Sequence, residues 1–483
     1  MESARKPAGR PARRPARPAA SQPARQRAAA GPPGELLDLV VGEVAQGGWC
    51  VAREPGGRVV LVRHALPGER VLAAVTEVTA RFARAEAVQI LDAAADRVEP
   101  PCPHARPGGC GGCDWQHASP QAQRRLKGAV ISQQLRRIAG IEREVTVEPL
   151  PGEAHGLDWR TRVRFAVRAD GTAGLRKHRS HEVIDVGDCP IAHPLVRQAG
   201  VTRRRWPGAR SVEVVTSPAT AERAIVVTPA AGPDRRTSAG RGQGGFASFS
   251  ATDGGAADAV LVTSRGGGLT ALRGGPFLQQ AAAGRTWRVG AGVFWQVHPA
   301  VADVLAGAVI DTLRPQPGEV ALDLYCGAGL FTGVLADAVG PSGAVIGVES
   351  DPAAVRDARH NLRGTPWARI HRGDAAEVLA RTDWAAAGLA VLDPPRAGAA
   401  RGVLDLLLAP RPTGRGGPAG PAGPADGGGP GLSRVAYVSC DPATLARDIA
   451  VFAAAGWQLG QLRAFDAFPM THHVECLATL TRG

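Results

Sequence analysis

From residue 36 to 93 the apolar positions fall in short runs: LLDLVVGEV, WCVARE, GRVVLVRHA, ERVLAAVTEV and FARAEAVQILD. Each is rich in Val, Leu or Ala and is parted from the next by Gly or Pro-Gly turns. Runs this short at this spacing predict strands, and five of them fit a small OB-like barrel. From Gln121 to about Glu142 the period changes, with Leu126, Val130, Ile131, Leu135 and Ile138 spaced as on a helix. Strand-like runs return at RVRFAVRAD, GLRKHRSHEVIDVG and SVEVVTS. Beyond about residue 290, VALDLYC, AVIGVES, RIHRGD, LAVLDPP and RVAYVSC alternate with helical segments such as DPAAVRDARHNL. That alternation predicts a parallel, doubly wound sheet.

Three stretches are too poor in large apolar residues for burial to offset the entropy of ordering them: residues 1–34, about 230–257, and 413–431 (TGRGGPAGPAGPADGGGPG). With 483 residues the chain is long for one domain. The expected organisation is a disordered basic tail over 1–34 and a β-barrel over 35–94. A central α+β domain over 95–285 and an α/β domain over 286–483 follow, the latter two each holding one disordered insertion.

The formal net charge is +13, but residues 1–34 account for +7 of it. The basic excess is compatible with a polyanionic partner without requiring one. No run of eighteen apolar residues occurs, so no membrane partner is expected. The start lacks an apolar h-region, so the expected location is cytoplasmic.

Asp323-Leu-Tyr-Cys-Gly-Ala-Gly-Leu-Phe-Thr332 ends one hydrophobic run and opens a helix. Gly327 and Gly329 permit a tight turn and close approach of a ligand, while the third glycine of the dinucleotide fingerprint is absent. Glu349 ends the next strand, where a carboxylate can accept both hydroxyls of a ribose. Asp374 and Asp-Pro-Pro-Arg (393–396) stand at later strand ends. This set points to an adenosyl ligand without a pyrophosphate, and S-adenosylmethionine fits.

Cys440, in YVSCDPATLARD, ends a β-run just before a helix. There the helix N-terminus is expected to favour the reactive thiolate. Glu475 precedes the final strand, CLATLTR. Beside a methyl donor, a thiolate and a carboxylate suit methylation of uracil C5. The thiolate adds to C6 and makes C5 nucleophilic, and the carboxylate then removes the C5 proton. Cys326 is a second candidate thiol, expected to serve packing.

Cys102, Cys110, Cys113 and Cys189 form a C-x7-C-x2-C-x75-C pattern. In a cytoplasmic chain such a cluster points to a metal rather than disulfides. The spacing alone leaves zinc and a [4Fe–4S] cluster both open.

These motifs resemble the RlmD-type RNA 5-methyluridine methyltransferases, relatives of the tRNA enzyme TrmA, from about residue 36 to the C-terminus. The segment ALPGERV resembles a TRAM domain, an RNA-binding barrel. The resemblance implies a class I, Rossmann-like methyltransferase domain behind an N-terminal TRAM barrel and a central domain with an iron–sulfur site. It assigns the four cysteines to a [4Fe–4S] cluster. Gln296, Tyr325, Glu349, Asp374 and Asp393 become cofactor contacts, Cys440 the nucleophile, Glu475 the base and Arg164 a contact to the target uracil. The implied activity is S-adenosylmethionine-dependent methylation of uridine C5, with 23S rRNA the favoured substrate because barrel and cluster are both present. No protein partner is implied. The same chemistry on tRNA, and a non-enzymatic RNA-binding iron–sulfur protein, stay open as alternatives.

Overall fold

The computed structural model describes residues 33–152, 155–230, 249–250, 252–264, 266–409 and 431–482. Most of the expected basic tail and of the two expected insertions lies outside these residues.

Five strands, Leu36–Ala45, Trp49–Arg53, Val59–Arg63, Arg70–Val78 and Phe82–Asp92, close into a barrel. Pairing of the first strand with the fourth, Leu37 with Ala73 and Leu39 with Val71, completes the circle. Alternation decides which residues fill it: Leu39 and Val41 are buried, whereas Val40 between them is 68% exposed.

The helix Pro120–Gln134 is capped by Ser119, whose hydroxyl accepts the Ala122 N–H at 3.2 Å. A π-helical turn, Leu135–Ala139, prolongs it until Gly140 takes a left-handed φ of 68°. Ala122 and Val130 pack into the barrel core, while Ile131 and Leu135 join the core of the C-terminal sheet. One amphipathic segment therefore ties two cores together.

The central region forms a seven-stranded sheet in the order Leu269–Arg273, Ala259–Thr263, Glu222–Pro229, Ala209–Ser217, Arg162–Val167, Ala173–Arg176 and Val183–Ile184. A hairpin, Phe277–Ala282 with Arg285–Gly290, leads out of it.

The C-terminal sheet has eight strands. Ala368–Arg372, Ala344–Glu349, Val320–Leu324, Ala387–Leu392 and Arg434–Ser439 run parallel, in that spatial order. Glu475–Arg482 and Trp457–Phe465 continue the sheet antiparallel. The far edge is Val147–Glu148, which comes from the central region and pairs with Ala464 and Phe465. Arg463 clamps this edge through two bonds to Glu148, at 2.9 and 2.7 Å. The sheet is covered on both faces, which explains the near-continuous apolar character of its central strands. Because those strands are parallel, their carboxyl ends share one rim, and the site is built there.

Candidate active site

Leu324 pairs with Val348 on one side and with Leu392 on the other, and Leu392 pairs with Tyr437. The residues that follow, Tyr325, Glu349, Asp393 and Cys440, therefore emerge along one rim. Over it opens a cavity of ≈ 1380 Å³, lined by Gln296, Tyr325, Glu349, Asp374, Asp393, Cys440 and Glu475. Arg164 is not among its lining residues. It borders a second cavity of ≈ 800 Å³ together with Cys102, Cys110, Cys113 and Cys189. Arg160, Gly111 and Gly112 line both cavities.

At the glycine turn, backbone geometry is set by carboxylates. Glu349 accepts the Gly327 N–H at 3.0 Å with one oxygen, and the Ser350 and Asp351 N–H groups at 2.7 Å with the other. Tyr325 and Gly329 take left-handed φ values of 69° and 95°. A Cβ at Gly329 would come within 3.3 Å of Ala358, so glycine here serves both the turn and helix packing. Asp323 is fully buried, accepts the Thr332 hydroxyl at 2.5 Å, and is pushed up to about 7 by burial. Asp374 caps the helix Ala375–Arg381 by accepting the Ala376 and Glu377 N–H groups. Cys326 is buried against Val355, Ala358 and Leu362 and does not line the cavity.

The same cavity is lined by the thiol and the carboxylate. Ser439 pairs with Cys476 across antiparallel strands, so Cys440, one residue on, and Glu475, one residue back, fall side by side. The helix was expected to favour a thiolate at Cys440. Instead burial pushes the thiol up to about 11, with the Glu475 charge adding to the rise and Arg396 opposing it. The helix that follows is capped by the Asp441 carboxylate, which accepts the Ala443 and Thr444 N–H groups at 3.0 and 2.9 Å. Glu475 is raised well above the ordinary carboxyl range by burial, with Asp393 adding and Arg396 opposing. Asp393 is itself pushed up to about 7 by burial.

Arg396 is the cation facing this cluster, and its Nη2 lies 3.4 Å from His473 Nε2. The sequence singles out the Asp-Pro-Pro-Arg and His-His-Val-Glu motifs without giving Arg396 or His473 a role. The loop carrying Glu475 is held from behind by the helix Pro120–Gln134. Lys127, fully buried, pairs with Asp466 and donates to the Phe468 carbonyl at 3.0 Å, and Gln123 accepts the Met470 N–H at 2.8 Å.

The four cysteines of the second cavity are free thiols. Among the described residues no three His, Cys, Asp or Glu side chains are gathered closely enough to hold a metal ion. The donor set nevertheless fits a thiolate-ligated group. All four residues border one cavity, and backbone N–H groups already point at sulfur, from Gly112 to Cys110 at 3.4 Å and from Ile191 and Ala192 to Cys189. Burial pushes the Cys110 thiol up to about 11, with Cys189 and Cys102 adding to the rise.

Comparison with known proteins agrees with this architecture. The TRAM domain profile matches residues 33–88 and the tRNA (Uracil-5-)-methyltransferase profile matches residues 431–483. A third profile, protein-L-isoaspartate(D-aspartate) O-methyltransferase, matches residues 295–377. An uncharacterized RNA methyltransferase of Streptomyces avermitilis is 47% identical, over 92% of this chain and 98% of its own. The 23S rRNA (uracil(1939)-C(5))-methyltransferase RlmD of Pseudomonas entomophila is 32% identical, over 96% of this chain and 97% of its own. The fold resembles the crystal structure of Pyrococcus abyssi tRNA (uracil-54, C5)-methyltransferase with S-adenosyl-L-homocysteine. The TM-score is 0.65 at 21% identity, over 92% of this chain and 100% of that one. Among the described residues no helix is long and apolar enough to cross a membrane. With a TRAM barrel in front, a uracil-5-methyltransferase profile at the end and relatives matched along nearly their whole length, the chain belongs to the RNA uracil-C5 methyltransferase family.

Proposed function

We propose that this protein transfers a methyl group from S-adenosylmethionine to C5 of a uridine in 23S rRNA, in the cytoplasm, through a transient bond between Cys440 and C6 of the base. The observation that carries the proposal is the placement of Cys440 beside Glu475 on the wall of a cavity that the glycine turn also lines. Gln296, Tyr325, Glu349, Asp374 and Asp393 are the residues assigned to the methyl donor. The target base must leave its stack to reach the rim.

The chemistry follows from the two side chains. The Cys440 thiolate attacks C6, forming an S–C6 bond and moving the electron pair to an enolate at C4–O4. C5 then attacks the donor's methyl carbon, and the methyl–sulfonium bond breaks to release S-adenosylhomocysteine. Glu475, after losing to solvent the proton that burial favours on it, takes the proton from C5, and the S–C6 bond breaks to return the thiolate. Arg396, which faces both groups, offsets the negative charge that accumulates there. Arg164, with 66% of its side chain exposed and an ion pair to Glu213, is the proposed contact to the uracil as it is led in past the second cavity.

Cys102, Cys110, Cys113 and Cys189 are the proposed ligands of a [4Fe–4S] cluster, with zinc the alternative on donor chemistry alone. When bound, such a cluster supplies a covalent staple between the 102–113 segment and Cys189. The two RlmD relatives favour 23S rRNA, whereas the profile matched at 431–483 names tRNA and favours the second reading. Incubation of the purified protein with each RNA and a labelled methyl donor decides between them. Label in 23S rRNA supports the proposal, and label in tRNA alone contradicts the substrate. A non-enzymatic binding role predicts label in neither.

A further inference from the structure

The loop that delivers Glu475 is gripped by residues outside the reaction cavity, and one of these grips reaches the barrel. Asp114 follows Cys113 and is buried. One of its oxygens takes two bonds from the same residue of the loop, from the His472 backbone N–H at 3.1 Å and the His472 ring Nδ1 at 2.6 Å. Its other oxygen accepts from Arg63 Nη2 at 3.1 Å, and Arg63, on a barrel strand, is only 1% exposed. The barrel's first turn seals the joint. A Cβ added at Gly48, which has φ +79°, would meet the Asp114 Cβ at 2.9 Å and the His472 Cβ at 3.2 Å. On the other side the His472 ring lies 4.0 Å from that of His473, whose Nε2 is 3.4 Å from Arg396. Arg63, Asp114, His472 and His473 thus form a contiguous line from barrel to cavity wall, arriving two residues before Glu475.

A general base is effective only when held within hydrogen-bond reach of its proton. The two-point grip on His472 fixes the backbone position and the ring orientation of the segment that sets this reach. We propose that His472 and Asp114, braced by Arg63, are positioning residues for Glu475, so that the barrel takes part in placing the base. The proposal rests on the methylation chemistry given above and concerns its last step alone, removal of the C5 proton.

The test compares His472→Ala with His472→Asn in the full-length protein. The amide nitrogen of Asn can occupy the place of Nδ1 and donate to Asp114, whereas Ala cannot. With uridine RNA and S-adenosylmethionine, His472→Ala should lower kcat about 10- to 100-fold, the scale for a misplaced catalytic group, with KM for RNA little changed. It should also accumulate a denaturant-resistant protein–RNA adduct that carries the transferred methyl group, because the step that resolves the adduct is slowed. Adduct formation with 5-fluorouridine RNA needs no proton removal at C5, so it should match the wild type and report an intact fold. His472→Asn should restore turnover to within a few-fold. Normal turnover in His472→Ala, equal loss of fluorouridine trapping and turnover, or failure of His472→Asn to restore activity would each overturn the positioning role. Absence of a Cys440-dependent fluorouridine adduct in the wild type would instead overturn the methylation reading, and this proposal with it.

Discussion

Ser439 and Cys476 face one another across antiparallel strands, and this one pairing brings Cys440 next to Glu475. Side chains alternate faces along a strand, so a slip of one residue would turn Glu475 to the opposite face. The proposed nucleophile and base are therefore placed relative to each other by the backbone pairing of their strands. Burial then determines how they titrate.

The first consequence is a pH profile. The Cys440 thiol is raised to about 11 by burial and by Glu475, so at neutral pH it is mostly protonated and the reactive fraction grows with pH. Adduct formation with 5-fluorouridine RNA in single turnover should accelerate about tenfold per pH unit from pH 6 upward, until another step limits it. Replacement of Arg396, which lowers the thiol's proton affinity, by Gln should slow the reaction at a given pH and move the rise to higher pH. A flat profile between pH 6 and 9 would contradict the buried-thiol picture.

Asp323 gives a stability prediction of definite sign. Its folded pKa, about 7, lies above the ordinary 3.8, so the folded state holds the proton more tightly than the unfolded chain. The favourable contribution is complete below about 3.8 and is lost as pH rises through about 7. Asp323→Asn keeps an acceptor for Thr332 without the buried charge, so it should stabilise the apoprotein by about 2–4 kcal/mol more at pH 8.5 than at pH 5, on the scale of 1.36 kcal/mol per pKa unit. Chemical denaturation at the two pH values measures this, and an equal effect at both would contradict it.

The Lys127–Asp466 pair is almost completely buried, with side-chain exposures of 0% and 1%. Lys127→Met leaves the Asp466 carboxylate without its cation and should cost about 3–5 kcal/mol in urea unfolding. Combining it with Asp466→Asn should recover part of that loss, because the stranded charge is gone. A single variant as stable as the wild type would show that the loop does not depend on this pair.

For the four cysteines, anaerobically prepared protein is expected to contain iron and acid-labile sulfide in equal amounts and to absorb broadly near ~400 nm. Cys113→Ser and Cys189→Ser should each diminish both. Stoichiometric zinc without iron would reverse the assignment.

What could be read from the chain was local. The barrel was legible because each of its strands carries its own turn signals, and the glycine turn after Asp323 because DLYCGAG and the acidic strand ends lie on neighbouring strands of one sheet. Cys440 and Glu475 could be named from their motifs, but their adjacency depends on pairing between strands separated by a helix and a further strand. The edge strand Val147–Glu148 is two residues long and gives no periodic signal. The position of Arg164 in the second cavity, and the opposition of Arg396 to Glu475 at the thiol, arise from tertiary packing alone. The upward shift of the Cys440 thiol comes first from burial, which depends on how the rim packs and which no local motif announces.

The most direct test of the central claim is to mix Cys440→Ser and Glu475→Gln separately with uridine RNA and labelled S-adenosylmethionine, and to resolve the products under denaturing conditions. The account predicts neither free methylated RNA nor adduct from Cys440→Ser. From Glu475→Gln it predicts labelled RNA that remains covalently attached to protein. Free 5-methyluridine released by Cys440→Ser at the wild-type rate would contradict it.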